Sequence, residues 1–263
     1  MYAFEFDRPT TLDAAVAALG QEEAQALGGG QTLIPALKQR LASPARLVRL
    51  TGIEELKGVR TTADGVLCIG AATPHAVVAA EAAAIYPALA DLAGHIGDPA
   101  VRNRGTIGGS LANNDPSACY PAAVLASDAT IRTHTREIAA GDYFDGMFAT
   151  ALEEGEIITE IRFPVPRQAA YVKFVQPASR FALVGVFVAR FADGVRVAVT
   201  GAAEEGVFRW GDAEEALSAD FRPEAVSELT VAAEGMIGDL HGSPDYRAHL
   251  VRVLTGRAVA RAS

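Results

Sequence analysis

Cysteine is scarce in this chain: 263 residues hold two, Cys68 and Cys119. A disulfide framework needs more thiols than that, and an iron–sulfur cluster takes about four, so any such cluster belongs to another chain. Histidine is scarce as well, with five residues and no pair at i, i+4 on one helix face, which leaves no zinc motif of the HExxH kind. No run of Lys and Arg stands out and the formal net charge is −9, a balance that excludes a phosphate-tracking nucleic-acid surface. Nor is there a stretch of about 18 apolar residues, or a basic and then apolar leader in the opening MYAFEFDRPT. The expectation is a cytoplasmic protein without a membrane span. What is present is 50% hydrophobic and 21% charged residues, the profile of a globular chain with ample core.

Repeats and low-complexity tracts are absent too, so the chain is read element by element. Residues 11 to 20 predict a helix with Thr11 as N-cap, Asp13 at the positive end and Gly20 as the stop. The short apolar run Ala24 to Leu27 leads through three glycines into helical periodicity over 32 to 41. Alternation from Ala45 and the run VLCIGAAT after Asp64-Gly65 predict strands; 75 to 93 predicts helix interrupted at Pro87, followed by a loop, HIGDPAVRNRGTIGG. A helix near Pro121 to Leu125, a strand over Ala129 to His134 and a strand ending at Pro164 complete this part. Beyond Pro164 and Pro166, three strand-like runs with a hairpin at Asp193-Gly194 precede sequence that reads as mostly helical from Pro223 to Ala262. The class is α+β.

Two glycine loops carry the chemistry. GGGQT spans Gly28, Gly29, Gly30, Gln31 and Thr32; GTIGGS ends in Thr106, Ile107, Gly108, Gly109 and Ser110. Leu33 stands where a third glycine of GxGxxG would be, and neither loop contains GK[ST], so neither a Rossmann fingerprint nor a P-loop is present. Each alone reads as a tight turn. Together, flanked by hydroxyl and amide side chains, they predict bare backbone with φ > 0 converging on a pyrophosphate. Glu153, Glu154 and Glu156 read as a solvated turn before a strand and not as an acid–base pair. No catalytic residue is assigned; Thr73, His75 and Asp145 are the polar residues to inspect.

The segments GGGQTLIPALKQRL, IGAATPH, IGDPAVRNRGTIGGSLANNDP, GEIITEIRFP and YVKFVQPASRFALVGV, in that order, together with the C-terminal HGSPDYRAHLVRVLTGRA, resemble the FAD-binding medium subunit of the molybdenum hydroxylase family, of the carbon monoxide dehydrogenase and xanthine dehydrogenase type. The resemblance implies a two-lobed p-cresol methylhydroxylase-type FAD-binding domain, residues 1–54 and 55–165, and a small C-terminal domain, 166–263, of a three-stranded antiparallel sheet plus helices. It places Gly28 to Thr32 and Leu33 along the FAD pyrophosphate, Thr106 to Ser110 in the facing loop, and Ile96, Ile158 and Lys173 beside the flavin. A positive Lys173 there would hold the negative charge of the reduced ring. Cys119 stands where the family usually has an Asp that bonds the adenosine ribose. A thiol is a poor acceptor, so that contact falls to Asn114, Asp115 or the backbone. Arg102 and Arg104 are candidates to brace the pyrophosphate loop or to form simple ion pairs.

By the same resemblance, a large subunit hydroxylates the substrate at a molybdenum–pterin centre, two [2Fe–2S] clusters in a small subunit relay the electrons, and noncovalent FAD in this chain passes them to an external acceptor. The assembly implied is a dimer of heterotrimers. The competing readings are a self-sufficient FAD oxidoreductase of the same fold and a nucleotide-binding scaffold without redox turnover.

Overall fold

The computed structural model describes residues 1–262. Its first sheet is small and parallel, formed by β1 (Glu5–Asp7), β2 (Ala24–Leu27) and β3 (Arg46–Arg49) in the order β1-β3-β2. Parallel neighbours need crossovers, and α1 (Leu12–Leu19) and α2 (Leu33–Lys38) supply them. Thr11 starts α1 as its residue type predicts: the backbone is extended and Oγ1 accepts from the Ala14 N–H at 3.3 Å. Gly20 ends α1 in a right-handed conformation with φ −73, so the stop does not use glycine's access to positive φ. Ala15, Leu19 and Val48 are buried together with Ile53, Leu56, Ala72 and Ile157, so the first sheet packs against the part of the chain that follows.

That part is a five-stranded antiparallel sheet, ordered β4-β5-β8-β6-β7. After β4 (Val59–Thr61) and β5 (Leu67–Gly70) come α3 (His75–Glu81), α4 (Pro87–Gly94), α5 (Pro99–Arg102), α6 (Ile107–Asn113) and α7 (Tyr120–Ala126), then β6 (Thr130–Thr133), β7 (Glu137–Ala139) and β8 (Ile158–Phe163). Pro87 divides α3 from α4 because it occupies the first turn of α4, where a missing N–H costs no helix bond. The stretch expected to be one loop from His95 to Gly109 instead contains α5 and the start of α6. Asp98 caps α5 by accepting from Val101 N at 2.9 Å, and Thr106 caps α6 by accepting from Gly109 N at 3.2 Å. Both caps are visible as residue types in the sequence; the glycines beside them masked the helix signal.

Four antiparallel strands, β9 (Gln168–Val175), β10 (Ala182–Arg190), β11 (Val195–Ala203) and β12 (Gly206–Arg209), form the third sheet in the order β12-β11-β10-β9. The expectation of three strands missed β12, which begins at Gly206, φ +99, after a two-residue turn at Glu204-Glu205. Helix also begins earlier and covers less of the tail than expected: α8 (Gly211–Ala219) precedes Pro223, residues 227 to 243 are largely irregular, and α9 (Pro244–Ala262) is the long C-terminal helix. The irregular stretch is pinned where Ile237 N donates to Ala202 O at 2.8 Å and Glu204 N to Gly235 O at 2.9 Å. Val186, Val188, Val197 and Val199 bury one face of the sheet against Leu250, Leu254 and Val259 of α9. Among the described residues no helix is long and apolar enough to cross a membrane.

Candidate functional site

Gly28 to Thr32 turn the chain from β2 into α2, and this turn lies directly on the segment that enters α6. A Cβ on Gly29 would sit 1.9 Å from Arg104 O, far inside contact distance, and one on Gly28 would meet Thr106 Oγ1 at 3.0 Å and Gly109 Cα at 3.7 Å. The two loops therefore touch through bare backbone. Positive φ has a smaller part than expected: of the glycines in these loops only Gly30 adopts it, at +72. Gly108 and Gly109 are helical residues of α6. Gly108 is glycine because a Cβ would strike Ala71 Cβ at 2.6 Å, whereas Gly109 is exposed and meets only Thr106 Oγ1 at 3.0 Å.

Beside this junction opens a cavity of about 470 Å³, within the common range for small-molecule sites. Gly28, Gly29, Gly30, Gln31, Thr32 and Leu33 line it, with Thr106, Gly108, Gly109 and Ser110 from the second loop. Ile96, Cys119, Ile158 and Lys173 also reach the same space from four separate segments. Ile107 does not: its side chain is fully buried in the core of the second sheet. It faces inward with Gly108, which packs on Ala71, while Gly109 faces out. Gln31 Nε2 donates back to Gly29 O at 3.2 Å, and Thr32 makes no side-chain cap bond to α2.

Lys173 is more constrained than a free cation on a strand. Its Nζ donates to His95 O at 2.7 Å and to Arg180 O at 2.9 Å, and lies 3.5 Å from Cys119 Sγ. Asn114, at φ +41, turns its amide away to donate to Gly146 O at 2.8 Å and Ala149 O at 2.7 Å, and is outside the lining. Asp115 does line the cavity; burial raises its carboxyl above the usual range, opposed by the Ser117 N–H it accepts at 2.9 Å. Of the carboxamide and carboxyl candidates, Asp115 lines the cavity and Asn114 does not.

His75 reaches the cavity from α3 and is buried, 5% exposed. Burial first, and the Arg102 charge second, lower its pKa from 6.5 to about 4, so the imidazole is neutral at ordinary pH. Thr73 and Asp145 lie outside the lining; Thr73 Oγ1 accepts from Gly58 N at 2.9 Å and donates to Gly58 O at 3.2 Å. Arg102 braces the Ile96 loop, with Nη1 donating to Ile96 O at 3.0 Å and Gly97 O at 3.1 Å, and Arg104 offers its backbone carbonyl to the glycine contact. Glu156 corrects the reading of a solvated turn. Its side chain is 3% exposed, it lines the cavity, and Arg136, Thr133 and Thr135 all bond it. Arg136 first among these holds the carboxyl well below the usual range. Only the fold, bringing 133 to 136 across from 156, turns that glutamate inward.

A family model described as the FAD binding domain in molybdopterin dehydrogenase matches residues 2–166. The carbon monoxide dehydrogenase medium chain of Hydrogenophaga pseudoflava is 34% identical, over 97% of this chain and 96% of that one. The nicotine 6-hydroxylase medium subunit of Paenarthrobacter nicotinovorans is 32% identical over 99% and 97%. Among solved structures, quinoline 2-oxidoreductase from Pseudomonas putida 86 matches at TM-score 0.89 and 29% identity, covering 99% of this chain and 97% of that one.

Proposed function

The chain belongs to the FAD-binding medium subunits of molybdenum hydroxylases, and from that premise we propose that it takes electrons from [2Fe–2S] clusters of a small partner subunit and delivers them to an external acceptor. The molybdenum–pterin centre belongs to a large subunit, and the assembly is a dimer of heterotrimers. FAD, when bound, supplies a carrier that accepts electrons singly and releases them singly or in pairs. The chain's own part is to hold, orient and shield. The division proposed is two lobes of a p-cresol methylhydroxylase-type domain, 1–54 and 55–165, followed by a C-terminal domain, 166–263.

A single observation carries this reading: Gly29 and Arg104 approach so closely that no side chain fits between the two loops. Such a seam lets the bare backbone of the first loop approach a diphosphate, which is the use of a glycine nest. In the second loop the N–H groups of Ile107 to Ser110 are bonded to Thr73, Ala71 and Thr106, so the Ser110 side chain is what that loop offers. Gly28 to Leu33 and Thr106 to Ser110 are assigned to the pyrophosphate; within the second loop Ile107 acts by anchoring α6 and not by contact. Ile96 and Ile158 exclude water from the flavin. Lys173, held at the cavity by its two carbonyl partners, would help hold the negative charge of the reduced flavin. Asp115 takes the ribose contact that Cys119 is ill suited to make.

Absorbance and acid precipitation test the assignment. The purified protein is expected to be yellow, with a band near ~450 nm typical of a bound oxidised flavin, and acid should release the colour into the supernatant because neither loop holds a His or Cys to tether it. Colourless protein that takes up no added FAD would refute the reading, and colour that stays with the precipitate would refute the noncovalent attachment.

A further inference from the structure

The cavity wall from Asp115 to Cys119 is held in place by β11, which lies beyond residues 2–166 of the family match. Thr200 is fully buried, and its Oγ1 lies 2.9 Å from Pro116 O and 2.7 Å from Ala118 O. Next to it, Gly201 N donates to Pro116 O at 2.7 Å. A hydroxyl has one proton to give, and since Pro116 O also accepts from Gly201 N, the Thr200 proton is available to Ala118 O.

Behind this brace the strand itself cannot shift. Gly201 is at φ +81, and a Cβ there would meet Ala182 O at 2.5 Å. Its carbonyl accepts from Arg247 Nη1 at 2.8 Å; the same nitrogen donates to Leu183 O at 2.7 Å, and Nη2 to Asp239 at 2.8 Å. The guanidinium is 3% exposed. A chain of bonds thus runs from the exposed Asp239 through the buried Arg247 and Thr200-Gly201 to Pro116 and Ala118. On the other side of those carbonyls, Asp115, Ser117, Ala118 and Cys119 face the cavity.

We propose that Thr200 is a positioning residue for the cofactor, setting the wall from Asp115 to Cys119 that receives the adenosine end and so determining how long FAD is retained. This rests on the FAD reading above. The third sheet is then part of the cofactor site through one hydroxyl, without touching the cofactor. Replacing that hydroxyl by a methyl group leaves the Ala118 carbonyl short of a donor, while Pro116 O keeps the Gly201 N–H, and frees the Ala118 end of the segment to move.

The test compares full-length wild type, T200V and T200S, loaded with FAD, by the rate of flavin release after dilution, with thermal melting of each apoprotein alongside. T200V is expected to release FAD about tenfold faster, the scale of one lost buried hydrogen bond. T200S, which restores the donor, should stay within about twofold of wild type on the same scale; the T200V apoprotein should melt lower because a buried acceptor loses its donor, so release is read from the folded fraction alone. Should T200V not fold, T200A, which adds no methyl group in place of the hydroxyl, is expected to show the same split. Equal retention in wild type and the hydroxyl-free variants, or release from T200S as fast as from T200V, would overturn the proposal. So would a lower apoprotein melting point with unchanged release from the folded fraction. If wild type itself binds no FAD, the functional reading fails first, and that result is distinct from a variant that retains it.

Discussion

Gly29 is the residue at which the cavity is most easily closed to its cofactor. Alanine there would place a Cβ 1.9 Å from Arg104 O and 2.6 Å from Gly105 Cα, both backbone atoms, so the two loops must separate. Gly29→Ala is expected to lose FAD, read as absorbance per protein after gel filtration; full flavin content in a well-folded variant would contradict the seam. His75 makes a different prediction. Its pKa is about 4 in the folded chain against 6.5 ordinarily, so between those pH values the unfolded chain binds more protons. Stability therefore falls as pH drops through that window, by on the order of 3 kcal/mol for this group. His75→Gln should flatten that fall in urea midpoints at pH 7 and pH 4.5; a slope equal to wild type would show that His75 is not the source. Both glycine loops and His75 were recognisable as residue types. That Gly29 meets Arg104, or that Arg102 faces His75, was not, because neither pair is close in the chain.

At the scale of the element, α6 separates two uses of glycine that adjoin in sequence. Gly108 packs on Ala71 at the end of β5, and Gly109 faces out beside the cavity. Gly108→Val should push α6 off β5 and cost about 1–3 kcal/mol of stability, the usual scale of overpacking. Gly109→Val should leave unfolding in urea near wild type while lowering flavin content. Identical behaviour of the two variants would show that α6 does not sit as described. The Thr11 cap, the break at Pro87 and the Asp193-Gly194 hairpin were legible because each rests on local backbone chemistry. β12 and the irregular stretch from 227 to 243 were not. Gly206–Arg209 is four residues long and is a strand only because β11 lies beside it; the tail is held by bonds to Ala202 and by Arg247, distant in sequence.

The whole molecule joins three sheets, and its cavity draws on residues both within and after the segment that the family model matches. A subunit of this family is expected to work in company: native mass measurement of the protein purified from its source should show this chain with a small iron–sulfur subunit and a large molybdenum subunit. A stable monomer that alone turns over substrate would remove that arrangement. The amino-acid sequence by itself determined the α+β class, the two glycine loops, the lack of cluster-forming cysteines and the family, since composition and short motifs are properties of neighbouring residues. Which glycines need positive φ, that Ile107 faces the core, that Glu156 is buried, and that Thr200 braces the Asp115 wall were decided only by tertiary structure. Each depends on a contact between segments tens of residues apart, and such a contact has no local signature in the chain.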